Sequence, residues 1–378
     1  MTRAIILSGG WGTRLRPLTC TIPKSLIPVV NKPVIERQIL LLKSAGIKEI
    51  ILAVSVMSDI LRNYFGDGEK LGVIIRYTDE RHPLGTAGAI KLAEDYLKDE
   101  NFFMINGDVI LNFDFKEILH SHNNYKGVGI IASKIVPDPS RYGVLIIDKD
   151  TNKITKFLEK TEYIPPEGQD IPMPINAGVY LLEPEIFSYI VPKRKMSIER
   201  EVFPILASEG KLYHYPIPGV WKDIGKPEEL LEGNILLMND ILKNLKEKHD
   251  NIIDDNLDLE ENVLLKPPIT IGKNVVLKKN SKIGPNVIIG DNVHIGENTE
   301  IKETLIYNGT YFAKNVKCEK AILADNCIIH DGVQLIGNDL NLVILSSYVE
   351  VMDNVKLIAS SKNSLSVCHH DVMRLDVS

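Results

Sequence analysis

The chain has 378 residues, of which 44% are hydrophobic and 25% charged. That is enough for more than one packed core, so small stapled scaffolds are excluded and two or three domains are expected. Lys plus Arg number 44 against 50 Asp plus Glu, a net charge of −6, so no overall positive field draws in nucleic acid or an anionic membrane. The apolar stretches at residues 39–42 and 50–54 are far too short to span a bilayer, and the N-terminus enters a structured pattern too early for a signal peptide. A cytoplasmic protein with neither nucleic acid nor membrane as partner is the expectation. Cys20, Cys318, Cys327 and Cys368 show neither disulfide density nor zinc-ligand spacing and read as incidental thiols.

In chain order, residues 3–7 read as a strand that runs into a glycine-rich turn through Gly12 and Thr13, and residues 34–45 as an apolar helix. Strands are expected at 47–54, 73–77, 101–105 and 128–133, with helical spacing at 87–97 and 115–122 between them. This alternation predicts an α/β domain on a largely parallel sheet. A helix at 197–208, a strand at 211–217 and a helix at 227–245, with Pro227 suited to a first helical turn, complete a first domain over 1–240. The charge-rich stretch that follows, including Lys246, Glu247, Lys248, Asp254 and Asp255, reads as a linker over 241–260.

Beyond it, Leu265, Ile271, Leu277, Ile283, Ile289, Ile295 and Ile301 recur every six residues. A second series runs through Val263, Ile269, Val275, Val287, Val293 and Thr299. A helix with 3.6 residues per turn does not produce this period, whereas short rungs of a parallel β-helix do, turning at glycine and asparagine corners. That predicts a β-helix domain over 261–378. From Tyr307 onward the period becomes irregular, which suggests insertions or a divergent cap.

Four motifs carry chemistry. The run Gly9-Gly10-Trp11-Gly12-Thr13-Arg14 places glycines at a strand end, where backbone amides can approach phosphate and Arg14 adds charge. It is neither a Walker A loop nor a GxGxxG fingerprint. Pro83-Leu84-Gly85-Thr86-Ala87-Gly88 is a turn into a helix, and Asn106-Gly107-Asp108 sets a carboxylate at a strand end, where it can hold Mg²⁺. Val220-Trp221-Lys222-Asp223-Ile224-Gly225 carries a second aspartate; as plain structure, Asp108 would cap a turn and Asp223 a helix.

With the continuation Thr21-Ile22-Pro23-Lys24, the Gly9 to Lys24 stretch resembles the signature of the nucleotide-sugar pyrophosphorylases, also called sugar-phosphate nucleotidyltransferases. The resemblance spans nearly the whole chain and implies a Rossmann-like nucleotidyltransferase domain followed by a left-handed parallel β-helix of hexapeptide repeats. It implies that Leu7, Gly9, Gly10, Gly12, Thr13, Arg14, Lys24, Pro83, Gly85, Thr86 and Gly107 hold the nucleotide, and that Asp108 and Asp223 bind a catalytic Mg²⁺. Arg141-Tyr142-Gly143-Val144, Phe157-Leu158-Glu159-Lys160 and Asn176-Ala177-Gly178-Val179-Tyr180, the last read as a loop entering a strand, resemble the sugar-side elements, which implies roles for Gly143, Glu159, Lys160 and Asn176 at the sugar phosphate. Arg14, Lys24, Asp108, Lys160 and Asp223 form the implied catalytic set.

Gly85-Thr86-Ala87-Gly88 looks most like the mannose-1-phosphate guanylyltransferase branch, so GTP and mannose 1-phosphate are the expected substrates. Glucose 1-phosphate with UTP, dTTP or ATP is the alternative. An added acyltransferase activity, with His294 or His330 as base, and a noncatalytic nucleotide-sugar sensor are lesser readings. His369 and His370 make no sufficient metal site. Self-association through the flat faces of the β-helix is expected.

Overall fold

A computed structural model describes residues 2–159, 171–245, 251–254, 256–368 and 372–373. The chain divides into two compact units, one of residues 1–10 and 34–221, the other of residues 11–33 and 222–378.

The first unit is built on a sheet with nine strands among the described residues. Phe102–Asn106, Arg3–Ser8, Glu49–Val54 and Ile74–Asp79 lie side by side and parallel. Ile5, Ile6, Ile51, Leu52, Phe103 and Met104 are fully buried, so these strands are covered on both faces and show no in–out alternation, as parallel strands flanked by helices should. The sheet is less parallel than expected. Met173–Leu182 runs antiparallel to three neighbours, Phe102–Asn106, Gly129–Val136 and Val144–Ile147. It is apolar on both faces, so its sequence carries no alternation to mark it as a strand. Its register slips between Asn176 and Tyr180, where Gly178 takes φ 71°, a conformation that a side chain resists.

Of the expected helices, Val34–Ser44 and Phe115–His122 form as read. The 87–97 segment is broken at Ala93 into Gly85–Leu92 and Glu94–Leu97. The 197–208 segment opens with a wide turn, Ile198–Val202, capped by the Ser197 hydroxyl, before Phe203–Ser208. Among the described residues no helix is long and apolar enough to cross a membrane.

The second unit contains the helix Pro227–Asn244 and a parallel β-helix. Parts of the stretch expected as a linker already belong to the coil: Asn251–Ile253 pairs with Ile269–Ile271, and Asp258–Leu259 with Val276–Leu277. The two six-residue series point inward, and Ile271, Leu277, Ile283, Ile289, Ile295 and Ile301 are all buried. Each such side chain is worth about 1.5–3 kcal/mol relative to exposure. Asn274, Asn280, Asn286, Asn292 and Asn298 turn the corners at φ between 54° and 61°, a left-handed conformation that Asn tolerates better than other side-chain-bearing residues.

The irregular phase after Tyr307 has a plain cause. Successive coils are 18 residues apart at Asn274 and Asn292, 17 at Asn298 and Asn315, and 22 at Asp331 and Asp353. The inward columns continue nevertheless, through Ile306, Phe312 and Cys318, then Leu323, Ile329 and Leu335. Cys318 and Cys327 serve as small apolar fillers, and burial pushes both thiols up to about 12. Among the described residues every cysteine is unbridged.

Candidate active site

In the first unit, backbone contacts set the site. The Gly107 amide donates to the Leu7 carbonyl at 2.9 Å, and a Cβ on Gly107 would stand 2.7 Å from that oxygen. Only glycine lets the two strand ends come this close. The buried Gln38 amide donates to the carbonyls of Asn106 and Val109, both at 2.9 Å, and so fixes the chain on either side of Gly107 and Asp108. Gly9 is held at its carbonyl by the Ser55 hydroxyl at 2.8 Å.

The 83–88 turn is anchored on the segment 196–199. Gly85 has φ 73°, and a Cβ there would overlap the Met196 carbonyl at 2.4 Å. The Thr86 hydroxyl donates to Glu199 at 2.6 Å and accepts from the Ile198 amide at 2.9 Å, while Pro83 stays exposed. The Thr86 hydroxyl is therefore already engaged within the protein, where it fixes the turn.

On the sugar side, Asn176 lies inside a strand rather than in a loop. Its amide donates to the Tyr180 hydroxyl at 2.9 Å and its carbonyl oxygen accepts from the Gly178 amide at 3.0 Å. The Asn176 backbone amide bonds the Gly143 carbonyl at 2.8 Å. Glu159 ends the strand Ile154–Leu158 and lies 3.6 Å from the Arg200 guanidinium. Tyr180 is wholly buried; burial first, then the carboxylates of Glu199, Glu159 and Asp108, raise its hydroxyl well above the ordinary range, against the pull of the Asn176 amide. Burial thus favours the neutral Tyr180 hydroxyl, which accepts from Asn176. Lys160 lies outside the described residues.

In the second unit, three short turns, Thr13–Leu15, Leu18–Cys20 and Lys24–Leu26, fold the signature loop on itself. Gly12, at φ 59°, brings them together: a Cβ there would lie 2.9 Å from Thr19 Cγ2 and 3.0 Å from Lys24 Cβ. The Thr19 hydroxyl donates to the Gly12 carbonyl at 2.8 Å. Arg14 and Asp223 meet around Gly225, whose Cβ position is 3.4 Å from Arg14 Nη1, 3.2 Å from Asp223 Oδ2 and 2.7 Å from Glu229 Oε2. Glu229 also accepts from the Gly225 amide at 2.8 Å. Asp108 belongs to the first unit and Asp223 to the second.

Gln38, Glu199 and Glu229 sit in no sequence motif, and each acts through a partner that the fold brings near. Tyr180 belongs to the Asn176-to-Tyr180 element, but its hydroxyl carries no role there. The histidines of the acyltransferase reading lie on outer rows of the coil: His294 stacks on Tyr311 with ring centroids 4.8 Å apart, and His330 bonds Glu350 at 2.8 Å. His369 and His370 lie outside the described residues.

Residues 3–240 match the nucleotidyl transferase family and residues 265–365 the GMPPB C-terminal domain; the chain belongs to the nucleotidyl transferase family. It is 42% identical to the mannose-1-phosphate guanyltransferase of Saccharomyces cerevisiae, over 65% of this chain and 67% of the relative. It is 40% identical to the mannose-1-phosphate guanylyltransferase catalytic subunit beta of Danio rerio, over 65% and 67%. Among solved structures, HddC from Yersinia pseudotuberculosis is similar with 30% identity and a TM-score of 0.53, over 62% of this chain and 98% of that one. The same protein complexed with GMP-PN gives a TM-score of 0.52.

Proposed function

We propose that this enzyme transfers the guanosine monophosphate unit of GTP to mannose 1-phosphate, forming GDP-mannose and pyrophosphate. The observation that carries this reading is the roughly 40% identity, over about two thirds of both chains, to relatives named for this one activity. A sugar-phosphate oxygen attacks the α-phosphorus; the new O–P bond forms as the bond to the β-phosphate oxygen breaks, in line, and pyrophosphate leaves. The nucleophile is already an anion, so no protein serine or cysteine is needed, and the work is alignment and charge neutralisation.

Arg14 and Lys24, on the first and third turns of the loop, donate to the triphosphate, while the glycines at 9, 10 and 12 admit it to the backbone amides. Leu7, Thr13, Pro83, Gly85, Thr86 and Gly107 shape the nucleotide side. Gly143, Glu159, Lys160 and Asn176 serve the sugar phosphate, with Glu159 accepting from a sugar hydroxyl and Lys160 holding the phosphate. Asp108 and Asp223 would each offer Mg²⁺ a hard carboxylate oxygen, the kind of donor it takes, one or two at a time, beside substrate phosphates. When bound, Mg²⁺ would supply charge neutralisation at the phosphates. Self-association through the β-helix is part of the proposal: Tyr311 and Ile328 are register partners on an outer ladder and are 45% and 41% exposed.

The test is a matrix of nucleoside triphosphates and sugar 1-phosphates with Mg²⁺, with nucleotide-sugar and pyrophosphate measured together. GTP with mannose 1-phosphate is expected to give the highest kcat/KM. A faster pair of glucose 1-phosphate with UTP, dTTP or ATP would replace this reading, and product binding without turnover would indicate a sensor.

A further inference from the structure

The signature loop and the β-helix belong to one compact unit, and the hydrogen bonds within it follow a pattern. Gly290, Tyr307, Ala324 and Ser346 form one row along the coil, each amide bonding a carbonyl of the next coil, at Ile306, Leu323, Leu345 and Val367. The loop runs back along this row. Asn31 Nδ2 donates to the Ile289 carbonyl at 2.7 Å, the Tyr307 hydroxyl donates to the Pro28 carbonyl at 3.3 Å, and the Ser346 hydroxyl donates to the Pro17 carbonyl at 3.3 Å. The Ser347 and Thr21 hydroxyls stand 3.4 Å apart. Residues 31, 28 and then 21 and 17 thus meet successively later coils.

The hairpin Pro28–Val29 with Lys32–Pro33 turns through Val30 and Asn31, at φ 48° and 62°. A β-branched residue in this region is strained and persists only where its surroundings over-determine it. Here the Val30 amide bonds Asn234 Oδ1 at 2.7 Å while Asn31 is pinned to the coil. Ser346 is fully buried and Tyr307 nearly so, so both hydroxyls occupy fixed positions. From Pro17 and Thr21 the chain of contacts continues through Thr19 to the Gly12 carbonyl and to the packing of Gly12 on Lys24.

We infer that the β-helix is a working part of the nucleotide site, with Ser346 and Tyr307 as positioning residues that set the loop bearing Arg14 and Lys24. This rests on the proposed guanylyl transfer for its kinetic form, though not for its structural form. Losing either hydroxyl removes a tether between the loop and the coil, although the Pro17 carbonyl keeps the Cys20 amide at 3.2 Å, and the loss should be felt by the ligand the loop holds.

The experiment compares Ser346→Ala, Tyr307→Phe and the double variant with the full-length wild type. KM for GTP should rise about fivefold for each lost bond, while KM for mannose 1-phosphate and the thermal midpoint stay near wild type. Hydrogen exchange, followed by mass spectrometry in the absence of substrate, should quicken over residues 12–27 and not over the coil. Unchanged GTP KM and unchanged loop exchange in the double variant would overturn the inference. So would equal impairment of both substrates with faster exchange throughout the coil, which marks a merely structural role. If the wild type does not use GTP and mannose 1-phosphate, the proposed reaction fails, and loop exchange still decides this inference.

Discussion

The two regions that carry the candidate residues, one in each unit, are held by different means. Around Asp108 the support is local to the sheet: Gly107 lies against the Leu7 carbonyl, and Gln38 bonds the carbonyls on both sides. Around Arg14 and Lys24 the chain forms short turns and a small hairpin, and its Pro28 and Pro17 carbonyls accept from side chains of distant coils. A backbone-locked region tolerates little change in shape, whereas a region held by side chains can be loosened in steps. Substitutions should separate the two.

The largest effect is expected at the carboxylates. Asp108→Asn and Asp223→Asn should each lower Mg²⁺-dependent kcat/KM by about 100-fold or more, read as pyrophosphate release over a magnesium titration; near-wild-type rates in both would remove them from the metal site. Next, Gly107→Ala should shift the two strand ends, costing about 1–3 kcal/mol of stability and a large share of activity. Gly12→Ala meets only the side chains of Thr19 and Lys24, so its cost should be chiefly the left-handed backbone, about 1–2 kcal/mol. Denaturant midpoints measured alongside kcat/KM rank the pair, and an equal effect of both would dissolve the distinction between the regions.

Gln38→Leu leaves two buried carbonyls without their donor and should cost about 2 kcal/mol, with KM for GTP and for mannose 1-phosphate both affected. The smallest effect is one of pH. Burial lowers the pKa of His214, 3.2 Å from the Ser133 hydroxyl, so folding favours its neutral form. The unfolded chain then binds more protons in the window just below the ordinary histidine value of about 6.5. Stability from this group is therefore present above that value and lost as pH falls through the window. His214→Gln should flatten the difference in denaturant midpoint between about pH 5 and about pH 7; an unchanged difference would contradict it.

The sequence made legible what repeats or what a motif concentrates. Six-residue spacing revealed the coil through Ile301, because each rung buries the same column. The period became harder to follow where the coils change to 17 and then 22 residues, although Ile306, Phe312 and Cys318 keep the columns. A strand entry is legible near Asn176, but the full extent of Met173–Leu182 and its antiparallel pairing are not, because burial on both faces leaves no alternation. Gly9, Arg14 and Lys24 stood out because one motif gathers backbone and charge, and Asp108 because a second sets a carboxylate at a strand end. Gln38, Glu199, Asn234 and Ser346 did not, since each acts on a segment tens to hundreds of residues away. The physical units also differ from a division of the chain at residue 240, because residues 11–33 pack with the segment that begins at Lys222.

The most direct test of the central claim follows the phosphorus atoms. GTP labelled at the α-phosphate and GTP labelled at the γ-phosphate would each be incubated with mannose 1-phosphate and Mg²⁺, and the products separated. Guanylyl transfer places the α-label in GDP-mannose and the γ-label in pyrophosphate, in equal amounts. Release of the γ-label as orthophosphate, or absence of the α-label from a nucleotide-sugar, would contradict it.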